Sequence, residues 1–374
     1  MSPKPRTLPT VELGIPASSS FVDVRVIDTT TYGSASSSMV FDPDITGYTK
    51  FEFPSYAFLI TNPVLNKHIL FDLGMRKDWL EALPSGTVEW IHQYMPFTVK
   101  EDVNDILDAD PGGLGIKTEN IASVIWSHHH FDHRGNITKF PPSTEVVVGP
   151  GFQKAYAPYY PKLPQSSILE AEMTGRPVRE IDESAFSTHL GRFQAHDFFG
   201  DGSFYLLNAP GHTTGHMCAL ARLPSPSAAA FAFLGGDCAH HPGVFRPAPG
   251  LPLPKEVGIS TPSSVVVCPG ALVQQYLHPR KSATEPFFSA RAGVNENQQE
   301  AEKSVAAMQD FDASERVILC IAHDTALLKS IEFYPAKLSW KAGGTQQANW
   351  VKMKWLFLSD LVLPSLDKFT GDPE

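Results

Sequence analysis

The chain has 374 residues, 42% hydrophobic and 19% charged, a globular composition with room for a substantial core and unlike that of a disordered or fibrous protein. Its formal net charge of −10 argues against nucleic acid as a partner, because phosphate backbones ordinarily meet a basic surplus. No run of about 18 apolar residues occurs, so no membrane span is expected. The first residues carry no apolar stretch of signal-peptide length, and the four cysteines stand singly, so a cytoplasmic location is expected.

Residues 1–20, rich in Pro and Ser, predict an extended or disordered arm, with 21–374 forming one domain that carries loop insertions and a C-terminal extension. Alternating apolar and polar residues predict strands over 21–30, 51–62 and 67–74. A helix is expected over 75–83, whereas the aromatic stretch 89–99 shows no clean period. Compact apolar runs predict strands over 121–127 and 145–149, and 151–157 reads as the start of a short helix before a turn-rich segment. Three more strands are expected over 203–209, 216–222 and 229–237. Six prolines between Pro242 and Pro262 predict a long shaped loop without regular structure. Val294, Ala301, Val305 and Met308 fall at helical spacing, which predicts a surface helix with one buried stripe. A strand over 316–323 ends on a histidine. The apolar positions of 349–364 suit packing on the core or on a second subunit, which leaves a homodimer open.

Of the 14 histidines, four fall within Ser127-His128-His129-His130-Phe131-Asp132-His133-Arg134-Gly135. Residues two apart in an extended segment point the same way, so His128 and His130 can converge on one ion. Asp132 and His133, where the chain turns, can face a second. Imidazole and carboxylate together suit zinc and other first-row metals.

This segment resembles the His-x-His-x-Asp-His motif of the metallo-β-lactamase superfamily, and four more elements of that family's pattern occur in order. They are Phe71-Asp72-Leu73-Gly74, Pro210-Gly211-His212-Thr213, Leu234-Gly235-Gly236-Asp237 and Ala322-His323. The resemblance implies an αββα sandwich, two facing mixed sheets with helices outside. It implies two Zn²⁺ ions, the first held by His128, His130 and His212 and the second by Asp132, His133 and His323, with Asp237 bridging. Asp72 would orient a ligand imidazole. His216 and Thr213 would be structural or orienting residues, and His129 would point away from the ions.

The implied chemistry is attack on a carbonyl by a hydroxide held between the two ions, with Asp132 in the catalytic centre. No Gly-x-Ser-x-Gly elbow offers a rival nucleophile. Among members of the family the set looks most like that of N-acyl-homoserine lactonases, in which Phe131 would line the pocket. The small-molecule substrate implied is a cyclic ester or cyclic amide. Those lactonases often carry a tyrosine three residues after the bridging aspartate, where this chain has His240; an imidazole there can serve as proton donor, which suits a nitrogen leaving group. Cys238 is the less suited ligand, since consecutive residues do not both face one site. Trp90, His92, Tyr94 and Phe97, with Phe245 and Arg246 of the proline-rich loop, are expected to form an apolar enclosure. The alternatives are a thioesterase, of glyoxalase II or polyketide carrier-protein type, and a di-iron oxidoreductase.

Overall fold

Strict alternation along the Lys50–Asn62 strand sends Phe58 and Ile60 to one face and Ala57 and Leu59 to the other, and both faces are buried. That two-sided burial recurs strand after strand and dictates four layers. In the computed structural model, which describes residues 12–225, 229–260, 265–339 and 352–361, two sheets pack face to face. The first has the strand order Phe97–Thr98, Asp23–Ser36, Lys50–Asn62, Lys67–Phe71, Ile121–Ile125, Glu145–Val148, Val178–Glu180. Its first four strands are antiparallel, and its later pairings, from Lys67–Phe71 onward, are parallel. The second runs Val317–Cys320, Ala230–Leu234, Met217–Leu223, Phe204–Asn208, Phe193–Asp197, Thr188–Leu190, with only the first pair parallel.

Val24, Val26, Phe58, Ile69, Phe71 and Val147 of the first sheet meet Leu206, Ala219, Ala232, Leu234 and Ile318 of the second in the central core. The outer face of the first sheet is covered by the helix Val103–Ala109 through Val103 and Leu107. The outer face of the second is covered by the helix Gln298–Asp312, whose Ala307, Met308 and Phe311 pack on Leu207, Phe233 and Leu319. Asn297 starts that helix by accepting the Glu300 N–H at 3.2 Å. The result is the expected αββα sandwich. Among the described residues no helix is long and apolar enough to cross a membrane.

Several local expectations are corrected. Only Trp79–Ala82 is helical within 75–83, while 89–99 divides into the end of the helix Ser85–Tyr94 and the edge strand Phe97–Thr98. The proline-rich stretch contains regular structure after all. Its proline-free part forms the strand Glu256–Ser260, paired antiparallel with Val265–Pro269. Val294 precedes its helix instead of joining it. Residues 12–20 form no regular element, and their carbonyls accept hydrogen bonds from the Gly191 N–H and from Arg222; residues 1–11 lie outside the described part. Within the C-terminal stretch, Trp355, Phe357, Leu358 and Leu361 are buried against the main body of the chain.

That C-terminal segment is fastened by charge as well. Arg246 donates to both Asp312 carboxylate oxygens at 2.7 Å and to the Lys354 carbonyl at 2.8 Å, and Lys354 donates to the Asp312 carbonyl. Burial alone would raise the Asp312 pKa, but Arg246 and Lys354 outweigh it and hold the carboxyl below the usual carboxylate range. Its contribution to stability is therefore complete above the unfolded value of about 3.9 and is lost as pH falls through the lower folded value. Asp312→Asn is expected to cost about 3–5 kcal/mol at pH 7, because Arg246 would be left buried and unpaired. The difference in urea midpoint between variant and parent should shrink below about pH 4. A difference that stays constant down to pH 3 would refute this account.

Candidate metal centre

The chemistry-bearing side chains sit just beyond the ends of five strands. Asp72 follows Lys67–Phe71, the 128–133 segment follows Ile121–Ile125, His212 follows Phe204–Asn208, Asp237 follows Ala230–Leu234 and His323 follows Val317–Cys320. Within each sheet these strands run in one direction, so their ends gather at one edge of the sandwich. Tight local turns make the convergence possible. Asp72 adopts φ +60°, and the Leu73 N–H donates to the His133 carbonyl while the Gly135 N–H donates to the Gly74 carbonyl. Gly135 must be glycine: it has φ +49°, and a Cβ there would lie 2.4 Å from the Leu73 Cβ.

Two groups of donor atoms form. In the first, His130 Nδ1 lies 2.8 Å from His128 Nε2 and 3.1 Å from His212 Nε2, and Asp237 Oδ2 is 3.6 Å from both of those Nε2 atoms. In the second, His133 Nε2 and His323 Nε2 lie 3.8 and 3.7 Å from Asp132 Oδ2, and 3.2 and 3.0 Å from Asp237 Oδ1. Asp237 thus turns one oxygen toward each group. All seven residues named from the motifs are brought together.

The outward-facing nitrogens are fixed by their own partners. His133 Nδ1 donates to Asp72 Oδ2 at 2.9 Å, and Asp72 Oδ1 accepts the Ser127 N–H at 2.7 Å. His323 Nδ1 donates to the Pro54 carbonyl at 2.7 Å, and His212 Nδ1 to Asn295 Oδ1 at 3.0 Å. Each of these bonds selects the tautomer whose Nε2 lone pair faces the site. His216 takes the complementary part: its Nδ1 donates to the Ala209 carbonyl, and its Nε2 accepts the Asp237 N–H at 3.1 Å. Burial brings its pKa down to about 4, so it stays a neutral acceptor beneath Asp237.

Burial, reinforced by neighbouring imidazoles, drives His128, His130 and His212 well below their ordinary pKa and keeps them neutral. At His133 the carboxylates of Asp237, Asp132 and Asp72 overcome burial and raise the pKa well above its usual value; at His323 Asp237 and Asp132 also overcome burial and raise it. The second group therefore attracts positive charge. His133 Nε2 and Asp237 Oδ1 are both buried without a hydrogen-bond partner. Buried polar atoms are rarely left so. Orphaned donors of this kind beside neutral imidazoles fit cations held by nitrogen and carboxylate, which would displace the protons that the second group attracts.

A cavity of about 400 Å³ opens over these groups, lined by His130, Asp132, His212, Asp237, His240 and His323 on its polar side. Phe131, Phe53, Trp90, Met95 and Val294 line the apolar side. His240 Nε2 is 3.4 Å from Asp237 Oδ2. Phe131 takes its expected place, with Phe97 edge-on behind it at 5.8 Å. Phe245 does not: it is fully buried with Arg246 over its ring, and Arg246 is committed to Asp312. The proline-rich loop folds them into the core, where Asp312 and the Lys354 carbonyl replace the water that burial strips from the Arg246 guanidinium. His92 packs on Trp79 and Tyr94 beside Trp90, neither on the cavity wall. Cys238 lies outside both donor groups, and His129 points away toward Glu296 and Tyr156. Asn295, Pro54 and Met95 were not foreseen. Asn295 has only the polar run of 295–298 as a sequence signal, which resembles any helix start, and Pro54 and Met95 have none.

The chain belongs to the metallo-β-lactamase superfamily, whose family model matches residues 51–222. Metallo-hydrolase mfmC of Annulohypoxylon moriforme is 41% identical, over 100% of this chain and 97% of its own. Gamma-lactamase FDB1 of Fusarium pseudograminearum is 40% identical, over 92% of this chain and 84% of its own. The cytochrome P450 monooxygenase mpaDE' of Penicillium brevicompactum is 40% identical over 93% of this chain, which spans 38% of that longer protein. Among solved structures, an N-acyl homoserine lactone hydrolase with N-hexanoyl-L-homoserine at its catalytic metal center aligns at a TM-score of 0.56. It covers 85% of this chain and 99% of its own at 16% identity, a likeness of fold. The chain is accordingly a hydrolase of this superfamily.

Proposed function

We propose that this chain is a dinuclear zinc hydrolase that opens a small cyclic amide or cyclic ester. The observation that carries the reading is Asp237, which presents one oxygen to His128 and His212 and the other to His133 and His323. His128, His130 and His212 would hold one ion, Asp132, His133 and His323 the other, with Asp237 between. Bound there, the pair supplies Lewis acidity toward a carbonyl and makes water acidic enough to act as nucleophile near neutral pH.

The remaining steps belong to the protein. Phe131, Trp90 and Met95 hold the body of the ring and exclude bulk water from the polar floor. His240, on the cavity wall, delivers a proton to the departing nitrogen or oxygen. Asp72 and His216 keep His133 and Asp237 in place while charge shifts. The kinship with a protein named gamma-lactamase favours the amide. Among the described residues lining the cavity there is no Lys or Arg, which disfavours thioesters of anionic carriers.

Assayed against γ-lactams, γ-lactones and glutathione thioesters, the protein is expected to open the rings and release no thiol. Dialysis against a chelator should abolish turnover, and zinc should restore it. Thiol release with intact rings would overturn the proposal. His240→Ala should slow lactam opening by about 10²-fold, and lactone opening less, with zinc content unchanged. Equal losses on both substrates would remove His240 as the proton donor.

A further inference from the structure

The 295–297 segment belongs to neither sheet, yet it touches both loops that carry the imidazoles of the first donor group. Asn295 Oδ1 accepts from His212 Nδ1 at 3.0 Å. The Glu296 N–H donates to the His212 carbonyl, and the Asn297 N–H to the Gly211 carbonyl, both at 2.9 Å. The Glu296 carboxylate reaches across the gap: Oε2 accepts from the Thr214 N–H at 2.7 Å and its hydroxyl at 2.9 Å, while Oε1 accepts from the Tyr156 hydroxyl at 2.9 Å. Tyr156 lies against the His129 ring, with centroids 4.0 Å apart, and His129 Nε2 stands 3.7 Å from Glu296 Oε1. The adjoining Gly293 and Val294 line the cavity.

We infer that Asn295 and Glu296 are positioning residues that set the separation of His130 and His212 and so tune the first cation site alone. The inference rests on the dinuclear reading of the site. His129 and His212 come from opposite sheets, and at their bases the two loops are joined by the Met217 N–H donating to the Ser127 carbonyl at 2.8 Å. Beyond that anchor, the bonds that span the two loops converge on one short segment. Asp132, His133 and His323 make none of these contacts; their supports are Ser55, Asp72 and Pro54. A fault in the strap should therefore be felt unequally by the two ions.

The test uses the full chain loaded with zinc, titrated against a chromophoric chelator, and the cobalt-substituted protein followed by visible absorption. In Asn295→Ala and Glu296→Ala, one of the two zinc ions should bind about 10- to 100-fold more weakly and the other should change by less than about threefold. The cobalt spectrum should change shape. Asn295→Asp, which keeps an acceptor for His212 Nδ1, should restore both affinity and spectrum. A parent that binds two ions, with variants that match it or that lose both ions equally, overturns the inference alone. A parent that binds no zinc overturns the dinuclear reading and the inference with it.

Discussion

Asp237→Ala is expected to leave the protein folded but unable to retain either ion after dialysis, with ring opening reduced by about 10³-fold or more. Every other donor serves one group, so its loss leaves the opposite group complete. Asp237 serves both, from a buried position held by the His216 bond to its N–H. Asp237→Asn separates shape from charge. It keeps the size of the side chain and removes the negative charge that, with Asp132 and Asp72, raises the pKa of His133. The asparagine variant should therefore retain the first ion better than the second. Metal content by elemental analysis and turnover on the best lactam decide the matter together. Two retained ions with turnover near that of the parent would sink the bridging role.

The second large effect is one of stability. Gly211 has φ +125°, and a Cβ built on it would lie 2.0 Å from the Ala301 backbone nitrogen and 2.4 Å from the Ala301 Cα. Those atoms are the first turn of the helix Gln298–Asp312, which cannot yield without leaving the second sheet. Gly211→Ala is expected to cost about 3 kcal/mol or more, strain and overpacking together. Gly175→Ala is the control, since Gly175 also has positive φ but no atom within 4 Å of the added carbon. Urea unfolding should show a small loss for Gly175→Ala and a large one for Gly211→Ala. Similar losses for the two would mean that contact with the helix is unimportant.

The contrast also explains which parts of the structure were legible from residue order. His128, His130, Asp132 and His133 are neighbours in the chain, and the turn after Ile125 is enough to aim them. His212, Asp237 and His323 were found through resemblance, because nothing local says that three strand ends meet. Strands with one residue type per face, such as Ala230–Leu234, were read correctly. Val178–Glu180 and Thr188–Leu190 were missed because three half-polar residues carry too little period to see. Phe245 misled for a different reason. Proline-rich neighbours suggested exposure, while the partner that decides its fate, Asp312 through Arg246, lies far along the chain. The same limit hid Asn295, whose role depends wholly on what it touches.

The parallel pairing of Val317–Cys320 with Ala230–Leu234 gives the two donor groups different histories. The first is complete in sequence once Asp237 has been made, and its strap follows soon after. The second lacks a nitrogen until His323 arrives from far downstream and its strand docks at the sheet edge, a contact of high sequence separation that forms slowly. On the dinuclear reading, the two sites would be completed in order during synthesis, the second only when the last strand of the second sheet is in place.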